Sequence, residues 1–426
     1  MRIAILTSEF PSLSETFVHH HVTDLVARGH EVEVFPERGE PRLTPSAEGE
    51  PDALLGRRIL PPPVPEKRAA RVAGVARHTW QHGWDAVPLL RSCDPRRFGR
   101  RGLSLSLFYR GLPLLDRRPY DLVHCHHGPT GVDAVKLQHL GLLNAPLVVS
   151  FHGHDLNVVP QQGGVHRYDA LWHRAARLFV NSEFSRERLL ALGAPEDRIR
   201  LLPVGVRVND FRPAAPAAIR DERVLLSVGR LVPVKGFGVA LHAFASLAAR
   251  APEWRYVIVG DGPQRAELEQ RARQLGIAER VHFAGALAHD AVRGWMAKAQ
   301  LYCQPSLRGD DGAEETQGLA VVEAQASGLP VVVSRSGGLP ESVREGDTAL
   351  LAAPGDARDL GRALRALAFY PERRARLGRA GRAFARHFDR DRITDALVGE
   401  YTELCQQTVR PPGRFVPPPK PPRAWR

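Results

Sequence analysis

The chain has 426 residues, 43% hydrophobic and 25% charged, ordinary globular proportions with room for two or three domains. Lysine and arginine number 59 against 47 acids, a net charge of +12 that suits an anionic membrane face or a phosphorylated substrate. No zinc-finger, RNA-recognition or basic-zipper pattern accompanies that charge, so no nucleic-acid partner is expected.

The four cysteines, Cys93, Cys125, Cys303 and Cys405, are scattered without a CxxC pair. That argues against a zinc site or a disulfide framework and fits a reducing cytoplasm. The first apolar run, residues 3–6, is too short for a signal peptide, and no run approaches transmembrane length. A cytoplasmic location is expected, with the basic charge available for peripheral contact with the inner leaflet.

In chain order, residues 2–7 read as a first strand and residues 31–35 as a second, after a helix ending near residues 28–30. Strands follow at 121–126, 146–152, 177–182 and 199–204. Strands separated by helical patterns predict a parallel, doubly wound α/β sheet, with ligands at the carboxyl ends of its strands. Three segments fall there: residues 8–16, 126–131 and 152–155. The first lacks the GxGxxG of a dinucleotide site and offers Ser14 as a helix N-cap.

His152 directly follows Val148-Val149-Ser150-Phe151 and so sits at a strand tip, where an imidazole can hydrogen-bond a sugar hydroxyl or orient an acceptor. His154 and Asp155 beside it are acceptor-side candidates. The i, i+2 spacing of His124 and His126, with His127, reveals no third ligand or carboxylate, so no metal is expected. Residues 37–120 are irregular. Pro61-Pro62-Pro63-Val64-Pro65 marks a break, 66–80 reads as helix, and the basic run 96–102 precedes an apolar stretch, 103–115. This is read as an insertion packing on its own domain, with contact to a membrane surface or an acceptor as the other reading.

Residues 206–222 read as a linker. A second set of strands follows at 224–228, 255–259, 281–283, 301–303, 331–333 and 349–351. Two such domains predict a ligand cleft. Arg230 and Lys235 lie on the loop after the first of these strands, where a guanidinium fork and an ammonium can hold phosphate oxygens.

The most informative stretch is residues 301–341. A buried strand ends at Pro305-Ser306 and an acidic loop follows. Gly318 then opens a helical pattern that stops at Gly328, before the strand Val331-Val332-Val333. The first amides of a helix lack intrahelical partners and its dipole makes that end positive, so Gly318, Leu319 and Ala320 offer N–H groups to a phosphate. Glu323, one turn beyond Leu319, can accept from a ribose hydroxyl, and Glu315 can reach a sugar on the other side of the diphosphate. Helices at 356–369, 371–388 and 390–406 complete the chain. Residues 410–426, Pro-rich and basic with no acids, are expected to be disordered.

Glu315-x7-Glu323, followed by Gly328-Leu329-Pro330-Val331-Val332 and Gly337-Gly338-Leu339-Pro340-Glu341, resembles the signature of the retaining glycosyltransferases of family 4. The resemblance implies the GT-B fold, two Rossmann-like doubly wound domains facing a central cleft. It assigns Glu315 to the donor hexose, Glu323 to the nucleotide ribose, and Arg230 and Lys235 to the diphosphate. His152-Gly153-His154-Asp155 is similar to the family's His-Gly-x-Asp, whose His faces the donor sugar. Residues 281–287, with Gly285 and Leu287, match the region flanking the nucleotide base, and the last helix is expected to cross back onto the first domain. The family's usual Glu-Gly-Phe-Gly is here Glu315-Thr316-Gln317-Gly318. That departure, with Phe10-Pro11 and Ser14-Glu15-Thr16-Phe17 in the first loop, is similar to the exopolysaccharide, colanic-acid-type branch.

The implied organisation is an acceptor-side domain over residues 1–205, a linker over 206–222, and a nucleotide-sugar donor domain over 223–388. A returning helix over 389–409 and the 410–426 tail follow. The implied reaction is retaining transfer of a hexose from a UDP- or GDP-sugar to a glycan or lipid-diphosphate-linked acceptor. Catalysis falls to Glu315, Arg230, Lys235 and His152. Asp310-Asp311 is a loop pair and not a strand-end DxD, so neither a metal nor another cofactor is expected. A nucleotide-sugar epimerase or hydrolase would need a general acid/base that the sequence does not place. A non-catalytic binding module is disfavoured by the intact Glu pair and Arg/Lys pair.

Overall fold

The structure is a computed structural model that describes residues 1–11, 16–38, 56–211 and 223–408. Ser14, part of the 37–120 insertion, most of the 206–222 linker and the 410–426 tail lie outside the described residues. The chain forms two compact units. One comprises Met1–Val180, Arg186–Leu202 and the segment from Thr394, and the other Asn181–Ser185 and Pro203–Ile393.

In the first unit, six parallel strands take the order β2-β1-β3-β4-β5-β6. They are β1 (Arg2–Glu9), β2 (Glu31–Arg38), β3 (Leu122–His126), β4 (Leu147–Ser150), β5 (Ala175–Val180) and β6 (Ile199–Leu201). Every residue of β3 and β4 is buried, as a parallel sheet covered on both faces requires. Period-two alternation assigns the faces of β3. Val123 and Cys125 join the core against helix α2 (Gly128–His139), while Leu122 joins Ile3, Ile5, Val18 and Val22 under helix α1 (Thr16–Ala27).

The terminal helix, Arg390–Thr408, shares that second face. Leu397, Tyr401 and Leu404 enter its core, Arg177 bonds Glu400 at 2.8 Å and Glu403 at 3.1 Å, and Arg28 bonds Asp395 at 2.9 Å. Residues 103–115 also turn inward. Leu107 is buried in the unit's main core, and Phe108 and Tyr109 form a small cluster with Leu89 and Leu112. The reading of this stretch as an insertion packing on its own domain agrees with the burial of these side chains. Leu103 at the start of the stretch is exposed, as are Val72, Trp80 and Trp84 before it.

The second unit repeats the plan with β7 (Arg223–Val228), β8 (Trp254–Val259), β9 (Val281–Gly285), β10 (Leu301–Gln304), β11 (Val331–Ser334) and β12 (Ala349–Ala352). The order is β12-β11-β10-β7-β8-β9 and all pairs are parallel. The expected α/β class is borne out: each unit is a Rossmann-like sheet with strands at all twelve positions read from the sequence. Each strand order reverses once, between β1 and β3 and between β7 and β10, where the following loops diverge and leave a crevice at the strands' carboxyl ends.

The face of β3 that meets α1 carries an unusual load. His124 and His126 are buried there and His21 of α1 lies between them, with ring centroids 4.8 and 5.1 Å away. The sequence identified no third ligand beside the β3 histidines; His21, from another element, brings a ring nitrogen within 4.8 Å of theirs. Burial depresses the His21 pKa to about 4 and holds His124, His126 and His152 well below the ordinary histidine value, with neighbouring rings adding to the effect for the last three.

These groups are neutral when folded, whereas in the unfolded chain they protonate near pH 6.5. Between about pH 6.5 and 4 the unfolded state binds more protons, so stability falls as pH falls. Each such histidine contributes a slope of up to about 1.4 kcal/mol per pH unit in that window. Urea unfolding midpoints should decline steadily from pH 7 to 5, above the range of carboxylate titration. A flat profile over that interval would show that the rings titrate normally.

Candidate active site

The C-terminal rim of the second sheet is built from the loops after β7, β10 and β9. At the reversal point, the β7 loop carries Lys235 and the β10 loop carries Glu315, and the ammonium and carboxylate are in direct contact. Both side chains are largely covered. Backbone bonds fasten the same two loops, Leu307 N donating to Val234 O at 2.7 Å. Arg230 is exposed on the β7 loop. Its neighbour Gly229 donates to Val259 O at 2.9 Å, and Gly260 donates to Gly285 O at 2.8 Å, so the ends of β7, β8 and β9 close up side by side. Gly285 therefore belongs to the same rim, and Leu287 is exposed just beyond it.

Helix α3 (Leu319–Ala326) begins where the 301–341 pattern placed it. Gly318 precedes it at φ 88°, a left-handed conformation that an L side chain resists, and an added Cβ would strike Leu339. Leu319 and Ala320 are partly exposed at its first turn. Glu323 lies one turn in, and one of its oxygens accepts from His289 Nε2 at 3.1 Å. His289 Nδ1 meets Arg293 Nη1 at 3.3 Å. Tyr302 of β10 is buried in the same region. Burial raises its pKa, and the charges of Glu323 and Glu315 both add to the rise, so both carboxylates bear on this hydroxyl. Tyr302 donates to Gln304 Oε1 at 2.8 Å.

The Thr316-Gln317 departure has a physical account. Both side chains are buried. Thr316 Oγ1 accepts from Asn181 Nδ2 at 2.9 Å. The Gln317 amide accepts from Val204 N at 2.7 Å and donates to Val204 O at 2.9 Å, as a backbone segment would. The loop holding Glu315 is thus pinned by its own side chains. It is also pinned by the Gly337-Gly338 turn, where Gly338 N donates to Glu315 O at 2.8 Å. Glu341 of the same motif accepts from the amides of Glu183 and Phe184 at 2.6 and 2.8 Å, a helix-capping role.

In the first unit, His152 lies just past β4, its ring 4.3 Å from Phe17 and its Nε2 3.0 Å from His126 Nδ1. Asp155 is only 1% exposed. Its carboxylate accepts from the amides of His152, Gly153 and Gly128 at 3.0, 2.9 and 3.0 Å, so it shapes the loop from inside. His154 is exposed at the start of a short helix.

Sequence reasoning missed His289, Asn181 and Tyr302. The only signal for His289 was its position soon after β9, on the rim where ligands collect. Gly337 supplies a test of the loop packing. Its φ is 55°, and an added Cβ would collide with the Glu315 carbonyl. Gly337→Ala should lower stability by about 1–3 kcal/mol. It should also weaken activity through the displaced Glu315, as read by urea unfolding beside a transfer assay. Wild-type values in both would show that the turn does not set the loop.

Two family models match the chain, Glycosyltransferase Family 4 over residues 14–210 and Glycosyl transferases group 1 over residues 209–384. The glycosyltransferase WcaL of Salmonella typhimurium, provisionally named for colanic acid biosynthesis, is 28% identical over 368 residues, covering 84% of this chain and 89% of WcaL. The amylovoran biosynthesis glycosyltransferase AmsK of Erwinia amylovora is 28% identical over 376 residues, covering 84% of this chain and 89% of AmsK. Among solved structures, Anabaena Alr3699/HepE in complex with UDP and glucose superposes with a TM-score of 0.69 at 19% identity, over 95% of this chain and 100% of HepE. With both halves matched and the fold shared, the chain belongs to glycosyltransferase family 4 and is a glycosyltransferase of the GT-B fold.

Proposed function

We propose that this glycosyltransferase moves a hexose from a nucleotide diphosphate sugar to a glycan or lipid-diphosphate-linked acceptor in exopolysaccharide synthesis, with retention and without a divalent cation. The observation that carries the reading is the Lys235–Glu315 contact at the β7/β10 reversal, beside the first turn of α3. An ammonium has three donors, so Lys235 can hold Glu315 and a phosphate oxygen together. The amides of Leu319 and Ala320 face the same anion, and Arg230 adds a planar fork. These groups neutralise charge as it builds on the departing diphosphate, the work a metal does elsewhere. Glu323 keeps one oxygen on His289 and offers the other to the ribose. Glu315 stabilises the positive charge that develops at the anomeric carbon. His152 hydrogen-bonds a hydroxyl of the sugar. HepE was solved with UDP and WcaL and AmsK are named for exopolysaccharides, which supports a UDP-sugar and a polysaccharide product here.

The test uses radiolabelled UDP- and GDP-sugars with a lipid-diphosphate oligosaccharide. Label should move to the lipid fraction at a rate unaffected by EDTA. Release of free sugar alone would indicate a hydrolase, and binding without turnover a binding module. Arg230→Ala should cut kcat on the order of 10²-fold, as expected for one lost charge-stabilising group. Wild-type rates would remove Arg230 from the mechanism.

We also propose peripheral association with the cytoplasmic face of the inner membrane. No helix among the described residues is long and apolar enough to cross a membrane. Trp80 and Trp84 are 89% and 90% exposed, at and just beyond the end of the Arg-rich helix Arg68–His82. Indole rings with cationic neighbours suit the headgroup level of an anionic bilayer. The protein should sediment with phosphatidylglycerol-containing vesicles at low salt, and the double variant Trp80→Ser/Trp84→Ser should lose most of that binding. Undiminished sedimentation of the variant would remove these rings from the contact.

A further inference from the structure

We propose that His126, His21, Tyr401, His124 and Ser150 form a hydrogen-bonded relay inside the first unit that sets the tautomer of His152. The links run in one line. His152 Nε2 meets His126 Nδ1 at 3.0 Å, and His126 Nε2 meets His21 Nδ1 at 2.9 Å. His21 Nε2 meets the Tyr401 hydroxyl at 3.1 Å, which in turn contacts His124 Nδ1. His124 Nε2 ends the line on Ser150 Oγ at 2.8 Å. Both nitrogens of His126, His21 and His124 are used once each.

A neutral imidazole has one N–H donor and one lone-pair acceptor, and a hydroxyl can do both. The line therefore closes with every donor and every acceptor used in only two ways. In one, every group donates away from His152: His152 Nε2–H to His126, His126 to His21, His21 to Tyr401, Tyr401 to His124 and His124 to Ser150. His152 then keeps an acceptor at Nδ1. In the other, Ser150 donates first and every bond reverses, so His152 accepts at Nε2 and carries its proton on Nδ1. Any mixture either sets two N–H groups or two lone pairs face to face, or has Tyr401 accept from both His21 and His124 and strands its own buried O–H. Burial disfavours the charged rings that would relieve such a defect. The tautomer at the strand tip is thereby tied to a tyrosine on the terminal helix.

The same geometry argues against reading His21, His124 and His126 as a metal site, although their ligand atoms lie within 4.8 Å of one another. Each ring would have to surrender a bond it already makes, and Asp155, the carboxylate nearest His152 in the loop, is occupied by backbone amides. His126, His21, Tyr401 and His124 are positioning residues. Their effect on transfer rests on the proposed contact of His152 with the sugar, while the tautomer coupling does not.

Ring-nitrogen NMR of the full chain, labelled at histidine and assigned by loss of signal in His152→Asn, reads the tautomer directly. Wild type should show one tautomer at His152. Tyr401→Phe keeps the buried ring but breaks the line, and should give a mixed population, with kcat reduced roughly tenfold and donor KM unchanged, as for loss of an outer-shell partner. Ser150→Ala, at the far end and small enough to spare the core, should move the His152 signal in the same direction. An unchanged His152 tautomer in both folded variants would overturn the relay. So would stoichiometric zinc binding by wild type that shifts all three interior rings together. A tautomer that responds while His152→Asn transfers sugar at the wild-type rate would instead overturn the role of His152 in the reaction.

Discussion

The adjacency of β7 and β10 is the constraint on which the second unit turns. The chain winds outward in both directions from that pair, and in such sheets the crevice lies at the carboxyl ends of the two strands. The loops that follow them are left to face each other. Lys235 and Glu315 meet there, and their opposite charges hold together two loops that the sheet alone would let part. The first turn of α3, Glu323 and the Gly337-Gly338 turn are all placed from this pair of strands or from the loop that Glu315 anchors.

Rigidity in this rim comes from polar groups as much as from packing. Gln317 copies a strand-like pair of bonds to Val204, Asn181 holds Thr316, and the Tyr302 hydroxyl is held on Gln304. Under the role proposed for Glu315, its carboxylate must already be in place when charge develops, because preorganised groups are effective only then. The buried Thr316-Gln317 pair does this with side-chain bonds, where the family's more usual Gly-Phe pair at these positions has none to offer.

The first unit answers a different demand. Its strand-tip histidine is backed by the rings of His126 and Phe17, and the buried acid of that loop, Asp155, accepts from three backbone amides. Neutral imidazoles joined to a tyrosine can occupy the interior without the desolvation penalty of a charge, provided every nitrogen finds a partner. The terminal helix is essential to that arrangement, since it brings Tyr401 to both His21 and His124.

The twelve strands of the described residues and the start of α3 at Gly318 were legible from residue order. Apolar runs, helix-stopping glycines and strand-end loops act over neighbouring residues, so they leave a local pattern. The pairing of Glu323 with His289, the inward turn of Leu107-Phe108-Tyr109 and the joining of His21 and Tyr401 to the β3 histidines were not legible. Each is a contact between elements far apart along the chain. Such contacts follow from which face of a strand or helix meets which neighbour, and that is decided only when the sheets are wound and the terminal helix closes over them.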